Sequence, residues 1–455
     1  MSESRIDVGR IVDERPFGIF HVVFMAVSFL LMATDGYDLG AVAFAAPALV
    51  HEFGVPRSAL GPLFSAGLIS GLFGPQIFGY FADRFGRKKV IVAGAVFFGF
   101  FTLASVFVGA FNELIVLRFI AGIGMAGMLP IVVALNNEFA PQRFRATVVV
   151  LVFCGVTFGG AMPGFIAAHT MATYGWRLLF WVGGLAPIVI AAIVAFAFPE
   201  SIKFLALRPE RRAELVRVLR RVQPGIEISP QTALVFTGEK NRAQFDPKAL
   251  FAGRLALLAP LFWISNACSL MVLYFVNQWM PTMLSGAGVT VAQAAIATSL
   301  FQIGGTFGGL VIMRPLDRYG FILVPILFAL GIPTLVAIGM PGLAPPVIMA
   351  LLFMLGICSL GLQFGNISLE PAIFPTYIRA WGVGSCFTAG RVGSSISVLI
   401  GGVLIGMHLP LQTVVVIAAI PLVVGFVVGV IITPLYRRQL RDIGTLQVQP
   451  ALAGE

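Results

Sequence analysis

The chain is poor in charged residues, cysteine and histidine. Asp, Glu, Lys and Arg make up 11% of its 455 residues, whereas soluble domains carry about a quarter. The four Cys and four His have no metal-ligand spacing, and no phosphate-binding loop is present. Because all four cysteines fall inside apolar runs, no disulfide framework is indicated. We therefore expect neither a soluble domain nor a metal or cofactor site.

Long apolar runs dominate the remainder, and hydrophobic residues make up 58% of the chain. A helix that spans a bilayer needs about 20 largely apolar residues. Six such runs precede residue 200 and six follow residue 253, so the sequence predicts an all-α integral membrane protein with twelve transmembrane helices. The predicted spans are residues 20–45, 57–81, 90–110, 114–138, 146–169, 177–198, 255–283, 291–313, 320–340, 346–374, 380–407 and 411–435.

Two short motifs each occur twice, and the offset is 234 residues in both cases. Asp-Arg-aromatic-Gly occupies 83–86 and 317–320, and Pro-x-x-x-Arg-Ala occupies 141–146 and 375–380. A shared offset indicates a duplicated unit of about half the chain. Membrane proteins with two similar halves are typically secondary transporters, with the site where the halves meet.

The duplication predicts two pseudo-symmetric six-helix bundles joined by a polar linker. In the linker, Leu215, Val218 and Leu219 recur at helical spacing opposite a basic face, which predicts a short amphipathic helix on the inner membrane surface. The predicted segments are a cytoplasmic N-terminus (1–16), the N-terminal bundle (17–199), the linker (200–254), the C-terminal bundle (255–435) and a cytoplasmic tail (436–455).

The basic residues are distributed asymmetrically around the predicted spans. Arg57 and Arg177 fall in outer loops, Arg118 and Arg391 lie inside spans, and the other Lys and Arg residues fall on the inner side. By the positive-inside rule, both termini are cytoplasmic. The net charge of +10 is then explained by anionic lipid headgroups at one membrane face, and nucleic acid is not expected as a partner.

Five ionisable residues lie deep inside predicted spans, where a charge is costly and marks a candidate functional site. They are Asp35, Asp38, Arg118, Glu370 and Arg391. The two aspartates are three residues apart and project from one helix face. Two carboxylates this close in a low dielectric favour proton binding, and they titrate as a coupled unit. They are the candidate proton-coupling group.

The depths of these charges allow two interpretations. At about 1.5 Å per helical residue, Asp35 and Arg118 lie roughly 27 and 30 Å from the inner ends of their spans, and Arg391 roughly 18 Å. In the first interpretation the charges pair, an Asp with Arg118 and Glu370 with Arg391, and hold helices together. In the second, protonation of an aspartate frees an arginine to grip a substrate carboxylate in a bidentate manner.

Other candidate substrate-binding residues are polar or aromatic groups inside spans. Polar residues on spans seven and eight either line a cavity or bond between helices. With Arg118 and Arg391, the candidate set comprises Tyr37, Gln363, Asn366, Asn277 and Gln278.

The turn between spans two and three carries a different kind of motif, Asp83-Arg84-x-Gly86-Arg87. It is too shallow for a central site, so we interpret it as a conformational latch whose salt bridges form in one state and break in the other. The remaining candidate gating residues lie at the inner ends of spans: Glu138, Arg145, Asp317, Arg318 and Arg379.

These motifs together resemble the major facilitator superfamily. The resemblance rests on the 79–88 turn, on Arg118 with Gly122 and Gly124, and on Pro199-Glu200-Ser201. A further resemblance is to the aromatic acid:proton symporters of bacteria. It rests on Asp35-Gly36-Tyr37-Asp38 and on residues 45–49, 375–384 and 390–393. That resemblance implies import of benzoate-like carboxylates across the inner membrane. It also implies that Asp35, Asp38, Arg118, Arg379 and Arg391 take part in transport.

The sequence departs from that family at three places. Trp381 replaces a threonine, Glu370 is an acid where the family has small or apolar residues, and Leu129-Pro130-Ile131 replaces Met-Pro-Asn. The substrate is therefore not fixed as a simple hydroxybenzoate.

The expected function is proton-coupled import of a small organic anion, most simply an aromatic monocarboxylate, by a monomer that uses alternating access. The alternatives are a proton-coupled exporter of drugs or metabolites, and a symporter of a non-aromatic acid or polyol. An exporter has less use for two buried arginines, and a polyol cavity is richer in Gln, Asn and Trp. An integral-membrane enzyme is disfavoured because no nucleophile or metal cluster is evident, and a non-transporting sensor usually has a longer tail.

Overall fold

A computed structural model describes residues 5–7, 18–141, 144–222, 233–235, 250–251, 253–374, 378–407 and 409–452. The helices of the first half are α1 (Ile19–Phe53), α2 (Leu60–Ser70), α3 (Gly74–Phe85), α4 (Arg87–Ala104), α5 (Phe111–Phe139), α6 (Arg145–Tyr174), α7 (Arg177–Ala197), α8 (Ile202–Ala206) and α9 (Arg212–Val222). Those of the second half are α10 (Leu255–Gly286), α11 (Val291–Tyr319), α12 (Leu323–Ile338), α13 (Pro345–Ile373), α14 (Arg379–Gly406) and α15 (Leu411–Leu452).

Within the described residues, twelve helical segments are long and apolar enough to cross a membrane, as predicted. The second segment, Arg57–Phe85, is interrupted by a turn at 71–73 that separates α2 from α3. Pro75 is responsible, because it has no N–H and its ring clashes with the carbonyl group four residues earlier. The last helix is longer than the predicted span and continues to Leu452.

Outside the spans, the described residues form two short strands and the linker helices. Strand β1 (Arg5–Asp7) pairs in parallel with β2 (Ala233–Val235), with Ile6 opposite Leu234. Helix α9 lies where the sequence predicts an amphipathic helix. Its residues Leu215, Val218 and Leu219 are buried against the apolar core of the first half, so the apolar stripe has a partner within the chain.

The chain divides into two compact units. The first comprises Met1–Ala41, Ser70–Gly160 and Tyr174–Asn241, and the second comprises Val42–Ile69, Ala161–Thr173 and Arg242–Glu455. Helices α1 and α6 each contribute residues to both units, so the units do not coincide with the two predicted bundles, whose boundaries remain a prediction.

The core of the first unit is rich in phenylalanine. Phe24, Phe98, Phe139 and Phe198 are buried there, and the rings of Phe24 and Phe198 have centroids 4.3 Å apart. In the second unit Trp279 is fully buried: its indole nitrogen donates to the Val398 carbonyl oxygen at 3.1 Å. Dispersion contacts between such buried rings and their neighbours stabilise the packing of helices in an apolar solvent.

Small residues bring α1 and α6 into backbone contact within the first unit. A Cβ on Gly36 would overlap the carbonyl oxygen of Val156, and a Cβ on Gly159 would overlap the carbonyl oxygen of Ala33. Close backbone packing of this kind stabilises the association of helices in lipid, where the hydrophobic effect does not drive them together. The glycines fix the separation of α1 and α6 at the level of the Asp35–Asp38 segment.

This contact predicts the effect of adding one methyl group. Gly159→Ala should lower the thermal unfolding midpoint of the detergent-solubilised protein, because overpacking costs about 1–3 kcal/mol. Gly79→Ala is the matched control: a Cβ there meets nothing within 4 Å, and alanine is the better helix former by about 0.5–1 kcal/mol. Equal melting shifts in the two variants would contradict the proposed role of the α1–α6 contact.

Candidate functional site

A buried ion pair joins two of the charges singled out in the sequence. Arg118 Nη2 on α5 donates to Asp38 Oδ2 on α1, and both side chains are 3% exposed. The predicted pairing of an aspartate with Arg118 is thereby confirmed, and Asp38 is the partner. Removing one member of a buried pair costs about 3–5 kcal/mol, because the other charge is then left uncompensated.

Two further helices complete the surroundings of the Arg118 guanidinium. Its Nη1 lies 3.5 Å from the Thr102 hydroxyl on α4, and its central carbon lies 5.6 Å from the ring centroid of Phe180 on α7. Sequence reasoning missed Thr102 and Phe180, since neither residue type is unusual inside an apolar helix. The arginine therefore has one ionic, one polar and one aromatic neighbour, all within the first unit.

The residues of the Asp35–Asp38 segment point in different directions around α1. Gly36 contacts α6, Asp38 contacts Arg118 on α5, and Tyr37 packs near Gly183 on α7, where a Cβ would lie 3.1 Å from the tyrosine ring. Asp35 is also buried. The Tyr37 hydroxyl is buried and has no hydrogen-bond partner among the described protein atoms. The Tyr37 O–H group is therefore free to donate a hydrogen bond, and it belongs to the residue next to Asp38 in the chain.

In the second unit, a row of polar contacts joins α10 to α13. Gln363 and Asn366, two predicted binding residues, both take part in it together with Glu370. The contacts are Ser269 Oγ to Gln363 Oε1 at 3.4 Å, Ser265 Oγ to Asn366 Oδ1 at 3.4 Å, and Asn266 Nδ2 to Glu370 Oε1. These side chains hold two spans together, and Asn366 Nδ2 has no described protein partner.

The two other amide residues that were predicted to bind substrate, Asn277 and Gln278, are on α10 and lie away from this row. Asn277 accepts a hydrogen bond from Gln302 on α11 at 3.1 Å, and Gln278 is buried with its Oε1 unpartnered among the described protein atoms. Asn277 is eleven residues beyond Asn266, which is about 16 Å along a helix. The predicted amides therefore belong to two separate groups.

The pairing of Glu370 with Arg391 that the sequence allowed is wrong. Arg391 on α14 instead extends over Phe387, with its guanidinium carbon 5.2 Å from the ring centroid, and no ion pair to Glu370 is formed by the described atoms. Depth explains the difference: Glu370 is three residues from the end of α13, about 5 Å, whereas Arg391 is twelve residues into α14, about 18 Å.

An open groove of about 520 Å³ lies between α10 and the part of α14 that precedes Arg391. Trp263 and Trp381 provide aromatic walls, and the Trp263 indole nitrogen donates to Ser385 Oγ at 2.8 Å. Phe387 and Thr388 on the same helix are exposed. Arg391 is half-buried, so this cation is accessible whereas Arg118 is enclosed.

The predicted latch at the α3–α4 turn is a network of charges and helix ends. Arg87 forms an ion pair with Glu138 at the end of α5, and the Ser201 hydroxyl donates to Glu138 at 2.6 Å. Asp83 and Arg84 are exposed. Of the other candidate gating residues, Arg318 is exposed, and the side chains of Arg145, Asp317 and Arg379 lie outside the described part of the chain.

Glu200, which sequence reasoning did not assign to the latch, ties the start of α4 to the end of α7. Its Oε1 accepts from the backbone N–H groups of Arg87 at 2.8 Å, Lys88 at 3.1 Å and Ser201 at 2.9 Å. Free N–H groups at a helix start favour a carboxylate. Gly86 allows this approach, since its φ is +104° and a Cβ would overlap the carboxylate.

Arg208 contacts the α3 side of the turn, opposite the helix start that Glu200 contacts. Its Nη2 donates to the carbonyl oxygens of Arg84 at 2.7 Å and Asp83 at 3.3 Å, at the C-terminal end of α3. A cation is favoured at that end by the helix dipole. Of Glu200 and Arg208, only Glu200 belongs to a motif that the sequence analysis singled out, Pro199-Glu200-Ser201.

Comparison with known proteins places these features in a family. The profile of the Major Facilitator Superfamily matches residues 28–369. The fold is also similar to solved transporters: the xylose transporter XylE from E. coli gives a TM-score of 0.69 at 17% identity, with 90% of this chain and 97% of that chain covered. A bacterial homologue of the human lysosomal transporter Spinster gives 0.65 at 17% identity, covering 94% and 98%.

Curated relatives cover almost the whole chain. The 4-hydroxybenzoate transporter PcaK of Pseudomonas aeruginosa is 31% identical, with 89% of this chain and 90% of the relative covered. The gallate transporter of Pseudomonas putida is 31% identical, covering 90% and 91%, and the benzoate transport protein of Acinetobacter baylyi is 28% identical, covering 93% and 91%. These proteins are membrane transporters rather than enzymes. With twelve apolar spans and a profile match over most of its length, the chain belongs to the major facilitator superfamily.

Proposed function

We propose that the protein is a proton-coupled symporter that imports a small aromatic monocarboxylate across the bacterial cytoplasmic membrane by alternating access. Both termini are cytoplasmic in this proposal, and the protein acts as a monomer. The observation that carries it is the buried Asp38–Arg118 ion pair, found in a chain whose relatives are named for 4-hydroxybenzoate, gallate and benzoate.

The ion pair supports coupling between the proton and the substrate anion, because binding of either one changes the charge balance at Arg118. Asp38 is the only described carboxylate that forms an ion pair with Arg118. Protonation of Asp38 leaves the buried guanidinium without a counterion, which is unfavourable by about 3–5 kcal/mol. A substrate carboxylate restores the balance by a bidentate contact with Arg118. Proton and substrate therefore each make binding of the other more favourable.

The groups around the two arginines support an aromatic substrate. Phe180 lies beside Arg118 and Phe387 lies beside Arg391, and Trp263 and Trp381 line a groove between α10 and α14. Because Arg391 is the more accessible cation, we assign it to the first capture of the carboxylate, and Arg118 to the contact that the carboxylate makes once Asp38 is protonated. Aromatic rings beside a guanidinium suit a planar carboxylic acid, since the ring stacks while the carboxylate pairs.

Uptake into proteoliposomes tests the proposed function. With an inward proton gradient, radiolabelled 4-hydroxybenzoate or benzoate should accumulate, and an uncoupler should abolish the accumulation. Xylose, which lacks a carboxylate, is the control and should not accumulate. Absence of accumulation for all aromatic acids, in vesicles that contain folded protein, would contradict the substrate class. Uncoupler-insensitive equilibration would contradict proton coupling.

Neutral variants of the aspartates separate coupling from substrate binding. Asp38→Asn or Asp35→Asn should abolish gradient-driven accumulation and retain part of the exchange of labelled for unlabelled substrate, because the proton site is lost while the translocation path remains. The measurement is accumulation and exchange in the same vesicles. Unchanged accumulation in both variants would contradict a proton-coupling role for these residues.

A charge-conserving variant tests the contact with the substrate carboxylate. Arg391→Lys should weaken substrate binding at least tenfold, because an ammonium cannot make the planar two-pronged contact; tenfold corresponds to about 1.4 kcal/mol. Arg314→Lys, an exposed arginine on α11, is the matched control. Binding is measured by calorimetry on purified protein, and equal affinities in wild type and Arg391→Lys would rule out bidentate binding there.

The latch is tested by separating turnover from binding. Glu200→Gln removes the charge that accepts three backbone N–H groups, and Asp83→Asn removes a carboxylate from the same turn. Hydrogen bonds to charged groups contribute about 1.5–3 kcal/mol, so transport should slow about tenfold or more, with near-normal substrate affinity. Glu210→Gln, on an exposed carboxylate, is the control. A loss of affinity equal to the loss of rate would contradict a gating role.

A further inference from the structure

Glu370 is a buried acid that the proposed coupling mechanism does not use. It lies on α13, one turn beyond Asn366, and is 2% exposed. Helix α12, which packs against α13, has no ionisable residue. A carboxyl group in such surroundings has lost nearly all contact with water.

The contacts of Glu370 involve a neutral amide and no cation. Asn266 Nδ2 on α10 donates to Glu370 Oε1, and the same nitrogen donates to the Phe262 carbonyl oxygen at 3.1 Å. None of the described Lys or Arg side chains pairs with Glu370, which distinguishes it from Asp38.

Among the side chains that the structure describes, the charged and titratable groups on the remaining helices around Glu370 do not supply a counterion. From α14, the buried Cys386 thiol lies within electrostatic range, and Arg391 extends over Phe387. From α15, the Tyr436 hydroxyl reaches the Leu369 carbonyl oxygen at 3.5 Å, and Arg437 and Arg438 are exposed. On α11, Arg314 and Arg318 are exposed. The side chains of Asp317 and Arg379 lie outside the described part.

Burial without a counterion decides the form in which the carboxyl is stable. An ionised carboxylate buried without a cation loses several kcal/mol of hydration that one amide hydrogen bond does not restore. A protonated carboxyl avoids that loss, and its carbonyl oxygen still accepts from Asn266. The arrangement around Glu370 is therefore one that suits a neutral acid.

We propose that Glu370 is a second proton-carrying group of the transporter, located in the second unit and distinct from the Asp35–Asp38 pair. One proton from water binds a carboxylate oxygen while Glu370 is exposed, stays bound while the α10–α13 contact encloses it, and returns to water when that contact opens. This inference rests on the proposed proton-coupled transport. In this proposal, binding of a proton to Glu370 affects the row of polar contacts between α10 and α13 to which Gln363 and Asn366 belong.

Infrared spectroscopy tests the protonation state without requiring transport. The purified wild-type protein at neutral pH should show the carbonyl stretching band of a buried protonated carboxylic acid, and Glu370→Gln should remove it. Glutamine still accepts the Asn266 hydrogen bond, so this variant should fold. If it does not, Glu370→Asp retains an acid, and the band should shift in frequency. A spectrum without any band that responds to these substitutions would show Glu370 to be ionised and would overturn the proposal.

The number of protons moved per substrate tests whether this proton takes part in transport. The ratio is obtained from the pH gradient that balances an opposing gradient of radiolabelled 4-hydroxybenzoate in proteoliposomes. The ratio for Glu370→Gln should be one proton lower than for wild type. An unchanged ratio, with the infrared band lost, would make Glu370 a static neutral group and would also overturn the proposal. If wild type moves no protons with substrate, the proposed function fails instead, whatever the infrared result.

Discussion

The pairing of Asp38 with Arg118 in a low-dielectric interior is the constraint on which the candidate site depends. Neither charge is tolerable there alone, since removing one partner costs about 3–5 kcal/mol. Four helices must therefore keep their relative positions: α1 and α5 carry the charges, and α4 and α7 supply Thr102 and Phe180. The pair is structural in this arrangement, and in the proposed mechanism the same energetic balance makes it respond to a proton or an anion.

The two units treat buried charge in different ways. In the first, carboxylates meet cations or helix starts: Asp38 meets Arg118, Glu138 meets Arg87, and Glu200 meets three backbone N–H groups. In the second, the buried carboxyl of Glu370 meets only an amide among the described residues. The two units therefore give their buried carboxyl groups different partners: cations and backbone N–H groups in the first, and a neutral amide in the second.

Sequence reasoning predicted the spans, the linker helix and the deep charges because each depends on composition or local spacing. It left open whether Asp38 meets Arg118, allowed a wrong Glu370–Arg391 pair, and missed Thr102, Phe180, Glu200 and Arg208. Contacts between spans depend on how each helix is rotated about its axis. In soluble helices an apolar stripe shows that rotation, but spans are apolar on the lipid side and the core side alike, so periodicity carries no such signal. The turn at 71–73 was not predicted, since residues 57–81 were predicted as one continuous span; Pro75 accounts for it.

The backbone contact at Gly36 restricts how α1 moves. Because Gly36 and Gly159 seat α1 directly against α6, rotation of α1 about its own axis would drive side chains on either flank into the α6 backbone. Rotation of α1 about its own axis is therefore sterically opposed at this level of the two helices. The direction in which Asp38 points is fixed relative to α6. In the proposed mechanism, a change in the proton occupancy of Asp38 therefore acts on Arg118 and not through rotation of α1.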